Sequence, residues 1–479
     1  MSDLDDLTAV ELAATIAKGE LGAVEVTQHA LDRAAELNDR IGAFITVTPE
    51  LALEQARAVQ RAIDAADDEA DLPPLAGVPL PIKDLNQVAG VPMTAGSAAL
   101  QGYVPEVDDG VVTLLRRAGT TMIGKTNTPE FGFPCYTEPD VAPPARNPWD
   151  LSRTAGGSSG GAAAAVAAGI TTIAHGSDGG GSIRIPAGAC GLVGLKPARG
   201  RISPGPHGLD GPGLSTNGVL TRTVADTAIA LDVLAHAWPG DTYSAPPVAT
   251  SFAEAAARSA APLRIGVLTE PIIADAGIHP QALAAVDKAA RLLTGMGHHL
   301  DTAPVPFNAE EWAPFRPMWA VLATSIPLPP GGESALRPLT RWLREAGKDV
   351  TGPTYAEAVF GGQRLTRQAA RRWADFDVIL TPSLATPPPA IGAIRNDEDP
   401  AADFQAQMEF TPWTSSLNII GKAAISLPLH HAEPDDGEPA LPFGVTLASV
   451  APGGEDVLLS LAADLERAAP WAHRRAVLQ

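Results

Sequence analysis

Residues 155–197 read AGGSSGGAAAAVAAGITTIAHGSDGGGSIRIPAGACGLVGLKP. Two glycine/serine runs, 156–161 and 176–182, bracket an alanine-rich segment and a short β-branched one. Glycine admits positive φ and lets backbone come close to whatever it holds. Either run alone fits a tight turn with serine as a cap. Two of them, with a further polar residue in reach, point to a site. Successive amides in Gly179-Gly-Gly-Ser182 can converge on an anion. Ser182, at the end of that run, can present a nucleophilic hydroxyl beside an oxyanion hole. From Thr154 to Ser177 there is no fixed charge. The apolar residues there are mostly alanine, too weak for a membrane span, so the segment reads as a buried loop and helix.

Outward from this stretch the pattern alternates. Thr8-Ala-Val-Glu11 is a capping box that opens a first helix. Amphipathic helices are predicted over 24–37 and 51–65, followed by an acidic loop at 67–71 and Pro73-Pro74. These make an all-helical N-terminal arm, residues 1–70, ahead of a catalytic core, 71–479, the whole acting as one domain. In the core, strands are predicted at 77–82, 121–125, 170–174, 263–268 and 378–381. Helices are predicted at 111–118, 162–168, 281–296 and 456–468. Segments 424–429 and 443–448 flank Pro434-Asp-Asp-Gly-Glu-Pro439 and read as a hairpin. The fold class is α/β, a central mixed, twisted sheet flanked by helices. Residues 300–375, with tryptophan and proline clusters, read as the least regular part and as a variable region on the substrate side.

Length and charge bound the function. At roughly 100–200 residues per domain, 479 residues suffice for a large core without staples. A formal net charge of −21 argues against nucleic acid and anionic membranes as partners. Cys135 and Cys190 cannot build a disulfide framework and fit a reducing compartment. The acidic start, without an apolar run behind basic residues, argues against a signal peptide and for a cytoplasmic protein.

A serine nucleophile needs a base. Gly156-Gly-Ser158-Ser-Gly160 matches the G-x-S-x-G elbow pattern. That motif needs a preceding strand, whereas 147–155 reads as loop, and the downstream histidines His430 and His431 sit beside an acidic turn. No metal motif such as His-Glu-x-x-His or Cys-x-x-Cys occurs. The remaining candidate is Lys83 in Pro79-Leu-Pro-Ile-Lys-Asp84, in a chain that uses arginine far more than lysine. Burial disfavours the charged form of an amine, and a neutral lysine can accept a proton. The alternative is a core lysine paired to Asp84 or a carbonyl. Gly119-Thr-Thr-Met-Ile-Gly124-Lys125-Thr126 also fits the P-loop pattern. Its context is inverted, however: helix before, strand within, no helix after to hold phosphate.

Six blocks, taken in order, resemble the amidase signature family over roughly residues 5–475. They are Gly77-Val-Pro-Leu-Pro-Ile-Lys-Asp84, Gly124-Lys-Thr-Asn-Thr-Pro-Glu130, Arg146-Asn-Pro-Trp149, Gly156-Gly-Ser-Ser-Gly-Gly161, Gly176-Ser-Asp-Gly-Gly-Gly-Ser-Ile-Arg-Ile-Pro186 and Gly191-Leu-Val-Gly-Leu-Lys-Pro197. The resemblance implies an amidase-signature fold and a Ser-Ser-Lys triad that needs no cofactor and no metal. In that triad Ser182 is the nucleophile, Ser158 the bridging serine after a cis peptide, and Lys83 the base. It implies an oxyanion hole from the amides of Gly179, Gly180, Gly181 and Ser182. Ser159 would support Lys83, and Asp178 and Arg184 would brace the loops. The implied substrate is a small-molecule amide, the implied assembly a homodimer. Ala174-His-Gly-Ser-Asp178 and Gly200-Arg-Ile-Ser-Pro-Gly-Pro206 are similar to the branch of broad bacterial amidases and nylon-oligomer cyclic-dimer hydrolases. The glutaminyl-tRNA amidotransferase A subunit is the alternative branch. Lys422 and Cys135-Tyr136 depart from the commoner family pattern. Candidate pocket walls are Phe131, Cys135, Tyr136, Trp319, Phe410 and Trp413.

Overall fold

The structure, a computed structural model, describes residues 4–68, 71–432 and 440–476. The Thr8 hydroxyl accepts the Glu11 N–H at 3.1 Å, and the Glu11 carboxylate accepts the Thr8 N–H at 2.8 Å. This closes the expected capping box on helix Ala9–Ala17. Helices Ala23–Ile41 and Pro49–Asp64 follow. The arm is not all-helical. Between those two helices runs strand β1, Phe44–Val47, whose aromatic and β-branched residues suit a pleated surface. Strand β2 is Ile82–Lys83 and β3 is Gly124–Thr126. β3 lies between the other two, antiparallel to β1 and parallel to β2. The arm is therefore tied by backbone hydrogen bonds to the segment that carries Lys83.

The segment 147–155, expected as loop, belongs to a hairpin of β4, Arg146–Asn147, and β5, Asp150–Thr154, with Pro148 in its turn. The main sheet has eight strands. In chain order these are β6 Ile173–Asp178, β7 Val193–Lys196, β8 Thr216–Thr221, β9 Arg264–Val267, β10 His299–Thr302, β11 Val378–Pro382, β12 Ala424–His431 and β13 Pro442–Ser449. Across the sheet the order is β10-β9-β11-β13-β12-β7-β8-β6. The β10–β9–β11 part is parallel and the rest antiparallel, so the sheet is mixed as expected. β12 and β13 form the predicted hairpin; its turn, 434–439, lies outside the described residues.

Residues 300–375 are regular, against expectation. They fold into helices Ala309–Trp312, Phe315–Ser325, Pro338–Lys348 and Gly352–Arg372. Pro338 and Pro353 sit in first turns, where the missing N–H breaks no intrahelical bond. What looked like breakers are starts. Trp312, Phe315 and Trp319 pack into an aromatic core rather than marking loops.

The weak alanine-rich segment is helix Gly160–Ala167, buried along one whole length from Gly160 to Val166. Its small residues let the backbone approach neighbours closely. A Cβ on Gly161 would fall 2.3 Å from the Asn127 nitrogen and 2.4 Å from the Ala43 oxygen. This packing fixes the loop before the helix, which holds Ser158 and Ser159. Among the described residues no helix is long and apolar enough to cross a membrane.

Candidate active site

Lys83 ends the short strand β2, and its side chain is fully buried. The strand is anchored on both sides. The next residue, Asp84, pairs with Lys125 at 2.8 Å and accepts the Thr94 N–H at 2.9 Å and hydroxyl at 2.7 Å. Lys125 also donates to the Asn86 carbonyl. Its amine is thus committed to the protein interior, which disposes of the P-loop pattern as a phosphate site. The Lys83 N–H donates to Nδ1 of His175 at 3.3 Å. With Nδ1 accepting, the imidazole proton sits on Nε2 and is donated to Asn217 Oδ1 at 3.1 Å.

The Lys83 amine lies 2.8 Å from Ser158 Oγ and 2.9 Å from Ser159 Oγ. It also reaches Ser177, at 3.1 Å from the hydroxyl and 3.3 Å from the carbonyl. Burial pulls its pKa down to about 7, with the nearby Asp178 charge opposing the shift only in part. Burial, and then the Lys83 charge, pull His175 down to about 3, so the imidazole is neutral across the physiological range.

The Gly157–Ser158 peptide is cis, as the family resemblance implies. A Cβ on Gly157 would meet the Tyr136 nitrogen at 2.7 Å and the Cys135 carbonyl carbon at 2.8 Å, so only glycine fits against that chain segment. Thr137 donates to the Gly156 carbonyl and accepts the Gly160 N–H, clamping the loop from below. The Ser159 hydroxyl donates to the Ser177 carbonyl at 3.2 Å, and the Ser159 N–H donates to the Ser182 carbonyl at 3.2 Å. The second contact joins the two glycine/serine loops. Lys83 thus bonds to both Ser158 and Ser159, and Ser182 is tied to them through its backbone carbonyl. Ser182 Oγ itself has no hydrogen-bond partner among the described residues, and no bond joins it to Ser158 Oγ.

The loop 179–182 follows the end of β6. Asp178 organises it. Its carboxylate takes Arg184 in a fork, Nε to Oδ2 at 2.9 Å and Nη2 to Oδ1 at 3.0 Å. It also accepts the N–H groups of Gly181 at 2.8 Å and Ile183 at 3.2 Å. Burial alone would raise its pKa; the Arg184 guanidinium outweighs that and holds the carboxyl below the ordinary range. One predicted oxyanion donor is thereby corrected. The Gly181 amide is already spent on Asp178, because positive φ at this residue (131°) turns the N–H inward. The amides of Gly179, Gly180 and Ser182 have no acceptor among the described residues.

Asp178, Arg184 and Asn418 form a closed buried network. Asn418 donates to Asp178 Oδ1 at 2.8 Å and accepts Arg184 Nη2 at 2.7 Å. Replacing Arg184 by Met should therefore lower stability by about 3–5 kcal/mol, because it strands a buried carboxylate. Urea unfolding of the purified variant measures this. A loss below about 1 kcal/mol would mean that Asn418 and the two amides suffice.

A small cavity of about 60 Å³ opens at Ser182. Cys135 and Trp319 line it as expected, together with Gly180, Ile185, Phe315 and Gln407. The other expected wall residues lie elsewhere. Tyr136 is buried, its hydroxyl donated to Asp403 at 2.6 Å. Phe410 and Trp413 are core residues, the latter donating its indole N–H to the Glu270 carbonyl. Large rings are more often core than ligand contacts, and these three follow that rule. Phe131, held at φ 49°, lines a separate and larger cleft. Lys422, which departs from the family pattern, donates to the Val450 carbonyl.

The sequence reading missed Ser177 and Asn418. Ser177 was within reach of it, since alternation along β6 puts His175 and Ser177 on one face. Asn418 lies 240 residues from Asp178 and carried no local signal.

The geometry agrees with comparisons to known proteins. The Amidase family model matches residues 25–459. The 6-aminohexanoate-cyclic-dimer hydrolase of Paenarthrobacter ureafaciens is 34% identical across 98% of this chain and 96% of its own. The solved structure of a 6-aminohexanoate cyclic dimer hydrolase complexed with substrate superposes with a TM-score of 0.90 at 32% identity, over 99% of both chains. A bacterial aryl acylamidase of the amidase signature family superposes with a TM-score of 0.85 at 27% identity, over 97% of each. With a match of this extent, the chain belongs to the amidase signature family, and with it to the enzymes that hydrolyse amide C–N bonds.

Proposed function

We propose that this enzyme cleaves carboxylic amides through Ser182, Ser158 and Lys83, with an acyl-enzyme intermediate. The observation that carries the reading is the buried Lys83 amine, drawn to about pH 7 and 2.8 Å from Ser158 Oγ. A neutral amine has two N–H groups and one lone pair. The Ser159 hydroxyl already spends its proton on the Ser177 carbonyl, so its oxygen receives one Lys83 N–H. The Ser177 carbonyl can only accept, and takes the other. The lone pair then faces two hydroxyls, Ser158 at 2.8 Å and Ser177 at 3.1 Å, and the shorter contact takes the Ser158 proton.

Ser182 Oγ turns toward Ser158 by a χ1 rotation as substrate enters; such contacts are often unmade in the free enzyme. Ser158 receives the Ser182 proton and passes its own to Lys83, while Ser182 Oγ bonds to the amide carbon. The oxyanion is held by the free amides of Gly179, Gly180 and Ser182. As the intermediate collapses, Ser158 delivers a proton to the nitrogen and takes back the one held by Lys83. The nitrogen therefore leaves as neutral amine or ammonia, an amide anion being a poor leaving group, and Lys83 is again uncharged. Water then attacks the ester through the same relay and releases the carboxylate. Anilides, esters and cyclic or linear amide oligomers fall within reach of this chemistry; the names of the two relatives above lend weight to the first and last. The two free, buried thiols of Cys135 and Cys190 suit a cytoplasmic enzyme, and a homodimer is the assembly proposed.

A fluorophosphonate should label the protein once, and peptide mass analysis should place the adduct on Ser182. Labelling at Ser158, or none, would overturn the assignment.

A further inference from the structure

Two separate cavities lie beside the two glycine/serine loops, and they differ in size. The one at Ser182 and Gly180 holds about 60 Å³. The other holds about 1020 Å³ and is lined by Leu85, Met93, Tyr103, Phe131, Ser215 and Ile326, among others. Its inner end adjoins both loops. A Cβ built on Gly132 would lie 3.1 Å from Ser158 Oγ and 2.7 Å from Leu85 Cδ1, so Leu85 stands just beyond the bridging hydroxyl. A Cβ on Gly179 would lie 2.7 Å from Ser215 Oγ. Its outer rim is apolar and open, with Leu209 94% and Tyr103 44% exposed.

We propose that the two chambers divide the substrate, the small one taking the acyl group and the large apolar cleft taking the leaving amine. The preferred substrates are amides of short carboxylic acids with a bulky, uncharged, apolar substituent on nitrogen. The assignment rests on the proposed reaction, because the proton given to the leaving nitrogen comes from Ser158. The nitrogen and its substituent must then lie on the Ser158 side, where Leu85 and Phe131 open into the cleft. The acyl substituent points away from the leaving nitrogen about the tetrahedral carbon. That direction leads past Gly180 to Cys135 and Trp319, where there is room for a short chain only. The cleft also holds Gln87, Gln101 and Asp109, but the Asp109 carboxylate accepts the Asn86 side-chain amide and the Gln87 N–H. The apolar walls Leu85, Met93, Phe131 and Ile326 favour a hydrocarbon amine, since each methylene moved out of water adds to binding.

Two isomers separate the assignments. N-Octylacetamide carries its long chain on nitrogen; N-methylnonanamide carries it on the acyl side. Their atoms are the same in number and kind. We expect kcat/KM for N-octylacetamide to exceed that for N-methylnonanamide by about tenfold or more, the scale of a few methylenes of misfit. Ile326→Trp, which narrows the cleft, should reduce kcat/KM for N-octylacetamide about tenfold more than for acetamide. Equal rates, or a reversed order, with Ser182 still labelled by a fluorophosphonate, would overturn the chamber assignment and leave the reaction intact. Turnover of neither isomer by a protein that labels at Ser182 would also overturn it. Absence of both turnover and label would remove the reaction reading on which it rests.

Discussion

Ser182→Ala should reduce amide turnover by about 10⁴–10⁶-fold, the range found when a nucleophile is removed from a serine hydrolase. The fold should survive, because Ser182 Oγ has no hydrogen-bond partner among the described residues, and the loop is held by its carbonyl and by Asp178. The variant's Tm should stay within a degree or two of the parent's while its turnover vanishes. The residual rate should reflect oxyanion stabilisation by the Gly179 and Gly180 amides. Adding Ser158→Ala should lower it little further, since residues of one relay do not contribute additively. A Ser182→Ala protein within tenfold of the parent in single-turnover assays would exclude Ser182 as the nucleophile.

Lys83→Met should reduce kcat by about 10²–10⁴-fold and remove the pH dependence near neutrality. In the parent the amine is charged below about pH 7 and cannot accept the Ser158 proton. Thus kcat/KM should climb about tenfold per pH unit up to that point and level off above it. His175 is neutral above about 3 and touches the Lys83 backbone rather than a reacting atom, so it cannot produce this rise. His175→Gln should keep the rise. The same depressed pKa has a consequence for stability. The unfolded chain binds the Lys83 proton up to about 10.5, the folded one only to about 7. Stability contributed by this site therefore increases with pH between those values and is constant below them. Buried Lys196, also drawn to about 7, adds in the same direction. A flat pH–rate profile from 5.5 to 8.5 would exclude a titrating amine as the base.

The residues proposed to carry the chemistry are legible in the sequence because each lies in a short, glycine-marked block. Lys83, Ser158, Ser159, Asp178, Ser182 and Arg184 are adjacent to the backbone feature that gives each its role. The cavity walls were not legible. Trp319 faces the small cavity, whereas Tyr136, Phe410 and Trp413 are buried in packing, and nothing in ring chemistry separates the two fates. The strand Phe44–Val47 hid between two strong helical patterns, since its partner strand lies some 80 residues on. Proline in 338 and 353 was ambiguous between breaking a helix and opening one.

By itself, then, the order of residues determined the family and pointed to two glycine/serine turns and one lysine as a single site, since local backbone needs and side-chain chemistry are written in consecutive positions. Only the folded arrangement decided that Gly181 gives its amide to Asp178, that Asn418 closes the network, and that a narrow cavity opens at Ser182 while a wide cleft lies beyond Leu85 and Phe131. The first depends on a three-dimensional turn within the loop, and the others on which buried faces meet: periodicity marks that a face is buried, but not which segment, 240 residues away in the case of Asn418 and Asp178, it is buried against.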